Sequence, residues 1–221
     1  MAVDESGAGG TVAGVLLAAG GGSRLGQPKA LVEFGGQTLA ERGVATLRDG
    51  GASPVLVISG AALVSVTGAR TVHNPDWETG MGSSLAVGLH ALEALPEADP
   101  FPEAAVIALA DQPLVGAEAV RRLIAAYRDG ASVAVAAYDG KPRNPVLIAR
   151  PHWAEVIQLS VGDVGARPFL RAHPELVTLV ECGDTGRPDD VDTAEDLARV
   201  TRELLTSPPE APAAEGPPAA G

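Results

Sequence analysis

Two hydrophobic patterns alternate along this chain. Short, continuous apolar runs are typical of strands buried on both faces of a sheet, and segments with helical periodicity lie between them. The apolar runs predict strands at residues 12–18, 54–59, 71–74, 104–110, 132–137, 145–149 and 176–181. The periodic segments predict helices at residues 38–48, 83–94, 118–128, 151–159 and 193–205. This alternation predicts a three-layer, Rossmann-like α/β fold with a mainly parallel central sheet and helices on both faces.

The two ends of the chain differ in composition from the segment between them. Residues 1–10 are small and polar, and residues 207–221 are rich in Pro, Ala, Glu and Gly. Neither end can bury much apolar surface, so we expect both to be disordered. We therefore predict one folded domain across residues 11–206. Its core must be largely aliphatic, because only 3% of the residues are aromatic.

The charge of the chain narrows the range of partners. A net charge of -12 argues against nucleic acid or an anionic membrane, since both select for a basic face. The first ten residues do not resemble a secretory signal, and no run reaches the ~20 apolar residues of a membrane helix. We expect a cytoplasmic protein. Cys182 is the only cysteine, which excludes a disulfide within the chain.

The loop after the first strand carries the clearest candidate chemistry. Gly20, Gly21 and Gly22 follow an apolar run, and Arg24 and Lys29 come next. Glycines let backbone N–H groups turn toward an anion, and the two cations add charge to those dipoles. The alternative is a plain strand-to-helix turn with two solvated cations. The combination at this spacing favours a polyphosphate site, and the chain's only other lysine is Lys141.

A second motif is expected at the same edge of the sheet. Asp111 follows the buried run at residues 104–110, and Gln112 and Pro113 come after it. Alone, this aspartate suits a turn or a helix N-cap. Beside a triphosphate it suits Mg²⁺, which takes one or two carboxylates together with phosphate oxygens. The acids before the last helix mainly complement its dipole, but one of them could be a second metal ligand.

Three further segments have more than one interpretation. Residues 74–84 form a turn-rich stretch that opens a helix, where anions are attracted and where Ser83 or Ser84 is expected to serve as the cap. The loops at residues 140–145 and 162–167 each carry cations beside turn residues. Their spacing does not distinguish a substrate loop from a solvated hairpin tip.

Together these segments resemble the MobA-like nucleotidyltransferases. The match runs in chain order from Leu17-Ala18-Ala19-Gly20 to Lys29, and it continues through Asn74-Pro75-Asp76-Trp77, Gly80-Met81-Gly82-Ser83-Ser84-Leu85, Asp111-Gln112-Pro113, Asn144-Pro145-Val146-Leu147, Gly162-Asp163-Val164-Gly165-Ala166-Arg167 and Asp190-Val191-Asp192-Thr193-Ala194-Glu195-Asp196-Leu197. The Asp-Gln-Pro triplet and the Gly-Asp-x-Gly-Ala-Arg loop are most similar to the branch of molybdenum cofactor cytidylyltransferases.

The resemblance implies transfer of CMP from CTP, or of another nucleoside monophosphate, to the phosphate of a molybdenum-molybdopterin cofactor with release of pyrophosphate. It implies Mg²⁺ as cofactor and a molybdoenzyme or its chaperone as a possible recipient of the product. We expect Arg24, Lys29 and Asp111 to be catalytic. We expect Asp111 and Asp192 to hold the metal, with Asp190 as the second choice for the ligand beside Asp111. The remaining nucleotide-binding residues are expected to be Leu17, Ala18, Ala19, Gly20, Gly21, Gly22 and Ser23. The acceptor-binding residues are expected to be Gly80, Met81, Gly82, Ser83, Ser84, Asn144, Asp163 and Arg167.

Other functions remain open at this point. A glycine-rich loop after a first strand also suits an NAD(P)H-dependent reductase, but a dinucleotide site usually has an acid at the end of the second strand. Ser59 and Gly60 stand there instead. A module that only binds the cofactor is a third possibility, and the presence of both Lys29 and Asp111 argues against it. The acceptor could also be another phosphorylated compound, and the choice between CTP and GTP stays open.

Overall fold

A seven-stranded sheet forms the centre of the protein. The structure, a computed structural model, describes residues 10–96 and 101–206, with side chains of the last helix described to residue 203. The ends predicted to be disordered therefore lie outside the described residues, apart from Gly10, and the limits of the folded domain stay a prediction. The strands are β1 (Val12–Ala18), β2 (Glu33–Phe34), β3 (Gln37–Thr38), β4 (Val55–Ser59), β5 (Arg70–His73), β6 (Ala104–Leu109), β7 (Val133–Tyr138), β8 (Lys141–Ala149) and β9 (Val177–Glu181).

The order of the strands confirms the predicted fold class. The sheet reads β5-β4-β1-β6-β8-β7-β9, and β2 and β3 form a separate two-stranded hairpin. Strand β1 pairs in parallel with both β4 and β6, and only β8 runs antiparallel to its neighbours within this sheet. Because β1, β4 and β6 run in the same direction, their carboxyl ends open onto one edge of the sheet.

Helices cover both faces of the sheet. They are α1 (Leu39–Asp49), α2 (Met81–Glu93), α3 (Ala117–Arg128), α4 (Trp153–Leu159), α5 (Arg167–Ala172) and α6 (Ala194–Thr206). Side chains of β1 alternate between two cores, as the period of a strand requires. Leu16 packs into a core with α1 and α3, whereas Val15 and Leu17 pack into a core with α2, α4 and α5. Both cores are largely aliphatic.

A third, smaller core joins parts of the chain that are far apart in sequence. Val32 and Phe34 of the segment after the glycine-rich loop pack against Leu39, and Val191 and Val200 complete the cluster. All five side chains are at most 2% exposed. This packing holds the segment that precedes α6 beside the glycine-rich loop. Among the described residues, no helix is long and apolar enough to cross a membrane.

Two sequence predictions about local structure need correction. Helix α2 begins at Met81 with Gly80 as its N-cap, so neither Ser83 nor Ser84 caps it. Both serines lie in the first turn, where Ser83 Oγ donates to the carbonyl oxygen of Gly80. The second correction concerns residues 140–145, which mostly belong to β8 rather than to a loop. The turn before β8 is a tight hairpin with positive φ at Asp139 and Gly140.

Candidate active site

The glycine-rich loop brings Lys29 back to the end of β1. The backbone N–H of Lys29 donates to the carbonyl oxygen of Gly20 at 3.2 Å, and the N–H of Leu25 donates to Gly22 at 2.8 Å. Gly22 has a φ of 60°, and a Cβ there would collide with the carbonyl oxygen of Gln27. Only glycine fits this turn. The loop therefore places the Lys29 side chain at the carboxyl edge of the sheet.

Four charged side chains converge at this edge. Lys29 Nζ lies 2.7 Å from Asp111 Oδ2 and also donates to Asp192 Oδ1. Arg24 Nη2 lies 3.1 Å from Asp192 Oδ2. Asp111 follows β6, the direct neighbour of β1, while Asp192 precedes α6, 163 residues from Lys29 in the chain. Two cations and two carboxylates thus balance each other in the structure.

The electrostatics of this cluster favour the charged forms of Lys29 and Asp192. Burial works against the charge of Lys29, but attraction to Asp111 and hydrogen bonds to Asp111 and Asp192 outweigh it and raise the pKa of the ammonium above its usual value. The hydrogen bond from Lys29 is the main cause that lowers the pKa of Asp192 below its usual range. Both shifts favour the charged form of the residue, as expected for partners in one ion pair.

The Asp-Gln-Pro triplet also fixes the segment that carries Asp192. The carbonyl oxygen of Asp111 accepts a hydrogen bond from the N–H of Val191 at 2.8 Å. Gln112 is 8% exposed, and its Nε2 donates to Asp190 Oδ1 at 2.9 Å and to the carbonyl oxygen of Pro188 at 3.3 Å. Burial raises the pKa of Asp190. Asp190 is therefore hydrogen-bonded to Gln112, and Asp192 rather than Asp190 forms the ion pair with Lys29.

A cleft of about 310 Å³ opens at this edge of the sheet. Its walls are the ends of β1 and β6, the first turn of α2, a short 3₁₀ helix at Trp77–Thr79, and Asp163. Among the residues predicted to bind the nucleotide, those that line the cleft are Leu17, Ala18, Ala19, Gly20, Lys29 and Asp111. Gly21, Gly22, Ser23 and Arg24 do not line it.

The residues predicted to bind the acceptor divide into two groups. Those that line the cleft are Gly80, Met81, Ser84 and Asp163. Gly82 and Ser83 lie behind them in the first turn of α2, whereas Asn144 in β8 and Arg167 at the start of α5 do not line the cleft. The structure therefore brings part of the predicted acceptor site to the same cleft as Lys29 and Asp111.

The loop between α4 and α5 is fixed to the start of α2. Asp163 Oδ1 accepts from the N–H of Met81 at 3.1 Å, and the carbonyl oxygen of Gly162 accepts from the N–H of Gly82 at 2.8 Å. These contacts satisfy N–H groups that the helix leaves unpaired, in place of a side-chain cap from the helix itself. Gly80 has a φ of 117° and touches Gly162 too closely for a Cβ.

Besides Leu109 and Ala110 at the end of β6, the cleft is lined by Trp77 and Glu78, to which sequence reasoning gave no role. Both lie in the Trp77–Thr79 3₁₀ helix that precedes α2. One signal could have identified Trp77. In a chain with only two tryptophans, one of them stands in a turn-rich segment rather than in an apolar run.

The acids at this edge form a donor set that suits Mg²⁺. Asp111 and Asp192 are 21% and 32% exposed, and both meet the same ammonium. Hard carboxylate oxygens are the ligands that Mg²⁺ prefers, and it commonly takes one or two of them together with substrate phosphates and water. Within residues 10–96 and 101–206, no group of three His, Cys, Asp or Glu is placed to hold a metal. Two protein ligands therefore fit a metal that also binds the substrate, rather than a fully protein-bound ion.

A family model for the MobA-like NTP transferase domain matches residues 14–177 of the chain. The chain belongs to this family. Curated proteins similar to this chain include nicotine blue oxidoreductase of Paenarthrobacter nicotinovorans, which is 38% identical over an alignment of 206 residues that covers 86% of this chain and 96% of that protein. The purine catabolism protein PucB of Bacillus subtilis is 29% identical, with the same coverage of both chains.

Solved structures agree with this MobA-like assignment. The homologue of Mycobacterium tuberculosis Rv0371c from Mycobacterium sp. strain JC1 is 32% identical, with a TM-score of 0.72 over 88% of this chain and 96% of that one. A manganese complex of Rv0371c itself is 25% identical, with a TM-score of 0.68 over 87% of this chain and 98% of that one. The family match therefore supports nucleotidyl transfer, and manganese is bound in that structure of Rv0371c.

Proposed function

We propose that this protein transfers CMP from CTP to the phosphate of a molybdopterin-type cofactor and releases pyrophosphate. The observation that carries the nucleotidyl transfer is the convergence of Lys29, Asp111 and Asp192 where the glycine-rich loop meets the sheet edge. This arrangement offers an ammonium for phosphate oxygens and two carboxylates for a divalent cation. CTP and the molybdopterin acceptor are the finer part of the proposal, and they rest on the Asp-Gln-Pro and Gly-Asp-x-Gly-Ala-Arg motifs.

The reaction needs little acid–base chemistry from the protein. A phosphate monoester has a second pKa of about 6, so the acceptor phosphate is already mostly dianionic at neutral pH. One of its oxygens attacks the α-phosphorus of the nucleotide, the bond from the α-phosphorus to the bridging oxygen breaks, and pyrophosphate leaves with the electron pair. The work of the protein is to align the reactants and to stabilise the charge that develops.

The residues of the cluster divide this work. Lys29 and Arg24 stabilise negative charge on the transferred group and on the departing pyrophosphate, and the backbone of Gly20 and the glycines after it cradles the phosphates. Asp111 and Asp192 would hold Mg²⁺, which supplies Lewis-acid neutralisation of phosphate oxygens when bound. When the nucleotide is bound, Lys29 thus forms its ion pairs with the phosphates instead of with the two carboxylates.

A second candidate function is an oxidoreduction. The observation that favours it is the 38% identity with nicotine blue oxidoreductase across nearly the whole of that protein. The end of β4 argues against a dinucleotide there. Ser59 is buried, Gly60 follows it, and the side chain of Trp77 lies against Gly60. A carboxylate for the ribose hydroxyls, which usually ends this strand in dinucleotide sites, is replaced by Ser59 and a tryptophan ring.

One experiment separates the two functions. The protein is mixed with Mg²⁺, molybdenum-molybdopterin and either CTP, GTP or ATP, and pyrophosphate is measured. A parallel reaction follows NADPH oxidation with a quinone-like dye. The proposal expects pyrophosphate from CTP only when the acceptor is present, loss of at least ~10²-fold in Lys29→Ala, and unchanged release in Lys141→Ala. NADPH oxidation without pyrophosphate release from any nucleotide would contradict it.

A further inference from the structure

Trp77 occupies an unusual position for a large aromatic side chain in this protein. The other tryptophan, Trp153, is fully buried, and its Nε1 donates to the carbonyl oxygen of Ile148 at 3.0 Å. Trp77 is instead partly exposed and lines the cleft that also contains Lys29 and Asp111. The indole therefore keeps part of its surface open to this cleft. Burial in the core therefore does not account for it.

Two glycines from separate loops form the seat of this indole. A Cβ added to Gly60, at the end of β4, would lie 2.5 Å from Trp77 Cβ and 2.6 Å from Cγ. A Cβ added to Gly21, in the glycine-rich loop, would lie 3.0 Å from Cη2 and 3.2 Å from Cζ3. The stem of the side chain thus rests on Gly60 and the far end of the ring rests on Gly21. The missing Cβ atoms make room for the ring, and the close contacts fix its place.

The seat also links the indole to the proposed phosphate site. Gly21 belongs to the loop that directs Lys29 to the sheet edge, so the ring and the ammonium are held by the same turn of backbone. Glu78, next in the chain, lines the cleft too and adds a carboxylate acceptor near the ring. A phosphorylated nitrogen heterocycle needs three groups for binding: a flat apolar surface, an acceptor for an amino group and a cation for phosphate. The indole, Glu78 and Lys29 are of these three kinds.

We propose that the indole of Trp77 is a stacking surface for a planar nitrogen heterocycle whose phosphates reach Lys29. This inference rests on the proposed nucleotidyl transfer and names a binding residue for it. Two ligands of that reaction share the chemistry: the base of the nucleotide and the ring system of a pterin acceptor. Stacking of a base on an aromatic side chain strengthens binding on the order of tenfold or more.

A pair of variants separates the ring from the bulk of the side chain. Trp77→Phe keeps an aromatic face, and Trp77→Leu keeps an apolar filling against Gly21 and Gly60 without one. Isothermal titration calorimetry in the presence of Mg²⁺ measures binding of CTP, of inorganic tripolyphosphate, which lacks a base, and of a pterin phosphate. Because Trp153 is buried, tryptophan emission that CTP quenches in the wild-type protein reports on Trp77.

The proposal expects Trp77→Leu to weaken binding of CTP or of the pterin phosphate by about tenfold and to leave the affinity for tripolyphosphate unchanged. Trp77→Phe should retain most of the affinity that Trp77→Leu loses. Whichever heterocycle loses affinity is the one that stacks. Equal affinities for both heterocycles in Trp77→Leu and in the wild-type protein would overturn it. The proposed function is judged separately, because it is contradicted if the wild-type protein binds neither CTP nor tripolyphosphate, whatever the variants do. If Trp77→Leu does not fold, the wild-type emission decides the question: the stacking role is overturned if neither CTP nor the pterin phosphate quenches tryptophan emission at concentrations that calorimetry shows to be saturating.

Discussion

Replacement of Lys29 by methionine removes one positive charge from between two carboxylates. Methionine keeps an apolar stem of similar length, so the change mainly concerns the ammonium that lies 2.7 Å from Asp111 and also bonds to Asp192. Without it, both carboxylates face each other across the space that the ammonium filled. Arg24 still contacts Asp192, but its side chain is 66% exposed and contributes little screening inside the cluster.

The expected loss of stability follows from Coulomb's law. Two oxygens that bond to one ammonium lie at most about 6 Å apart. At an effective dielectric constant near 20, two unit charges at that distance repel by about 3 kcal/mol. Asp111 and Asp192 are 21% and 32% exposed, so water reduces this to about 1–2 kcal/mol. For a domain of this size we expect a melting temperature lower by roughly 3–6 °C.

A divalent cation is expected to reverse this loss. In Lys29→Met the two carboxylates are free to bind Mg²⁺ or Mn²⁺, and a ligand at 100 times its Kd stabilises the folded state by about 2.7 kcal/mol. In the wild-type protein the ammonium competes with the metal for the same oxygens. Without nucleotide, the metal should therefore raise the melting temperature of Lys29→Met more than that of the wild-type protein.

Thermal unfolding followed by circular dichroism, at rising metal concentrations and without nucleotide, checks this prediction. Lys141→Met is the matched control, because Lys141 is the other lysine of the chain and lies exposed at the start of β8. It should melt like the wild-type protein at every metal concentration. The reasoning is refuted if Lys29→Met melts at the wild-type temperature without metal, or if metal stabilises both proteins equally.

Three other changes have defined outcomes. In Gly82→Ala the added Cβ meets the carbonyl oxygen of Ser160, so urea unfolding should show a loss of about 1–3 kcal/mol although alanine favours helices. Gln112→Leu removes two hydrogen bonds to the segment before α6 and should cost about 1–3 kcal/mol in the same assay. A hydrogen bond to Glu155 is the main cause that raises the pKa of His173. The contribution of this contact to the stability of the folded state is therefore complete below pH ~6.5 and is lost as the pH rises through the raised pKa. An NMR titration of Glu155→Gln should find this imidazole titrating at lower pH than in the wild-type protein, and an unchanged titration would contradict the assigned contact.

The parts of the fold that could be predicted are those with a simple hydrophobic pattern. Strands β1, β4 and β6 are continuous apolar runs, because helices cover them on both sides. Parallel strands of this kind open onto one edge, so the sequence alone placed Asp111 and the glycine-rich loop on the same side of the molecule. The structure adds a salt bridge of 2.7 Å between Lys29 and Asp111.

Other features depend on contacts that no local pattern reveals. The first four residues of β8, Lys141 to Asn144, are a proline and three polar residues, a composition that indicates a loop, and pairing with β7 makes them a strand. Helix α5 has six residues, too few to display a period. The start of α2 is set by Gly162 and Asp163, more than 75 residues away, whose oxygens accept from its first N–H groups.

The same limit applies to the candidate site. The sequence favoured Asp192 over Asp190 as the second metal ligand, but it showed no contact that distinguishes these two acids of one segment. Only the fold separates them, because Gln112 binds Asp190 and leaves Asp192 to Lys29. The surroundings of Trp77 were equally hidden, since its side chain rests on two glycines 39 residues apart in the chain.

A crystal structure of the protein with Mn²⁺ and a non-hydrolysable CTP analogue tests the central claim most directly. We predict triphosphate oxygens on the backbone of the glycine-rich loop, the Lys29 ammonium turned from the carboxylates to a phosphate, and an anomalous manganese peak on Asp111 and Asp192. A nucleotide bound elsewhere, with the salt bridge between Lys29 and Asp111 still intact, would contradict the account.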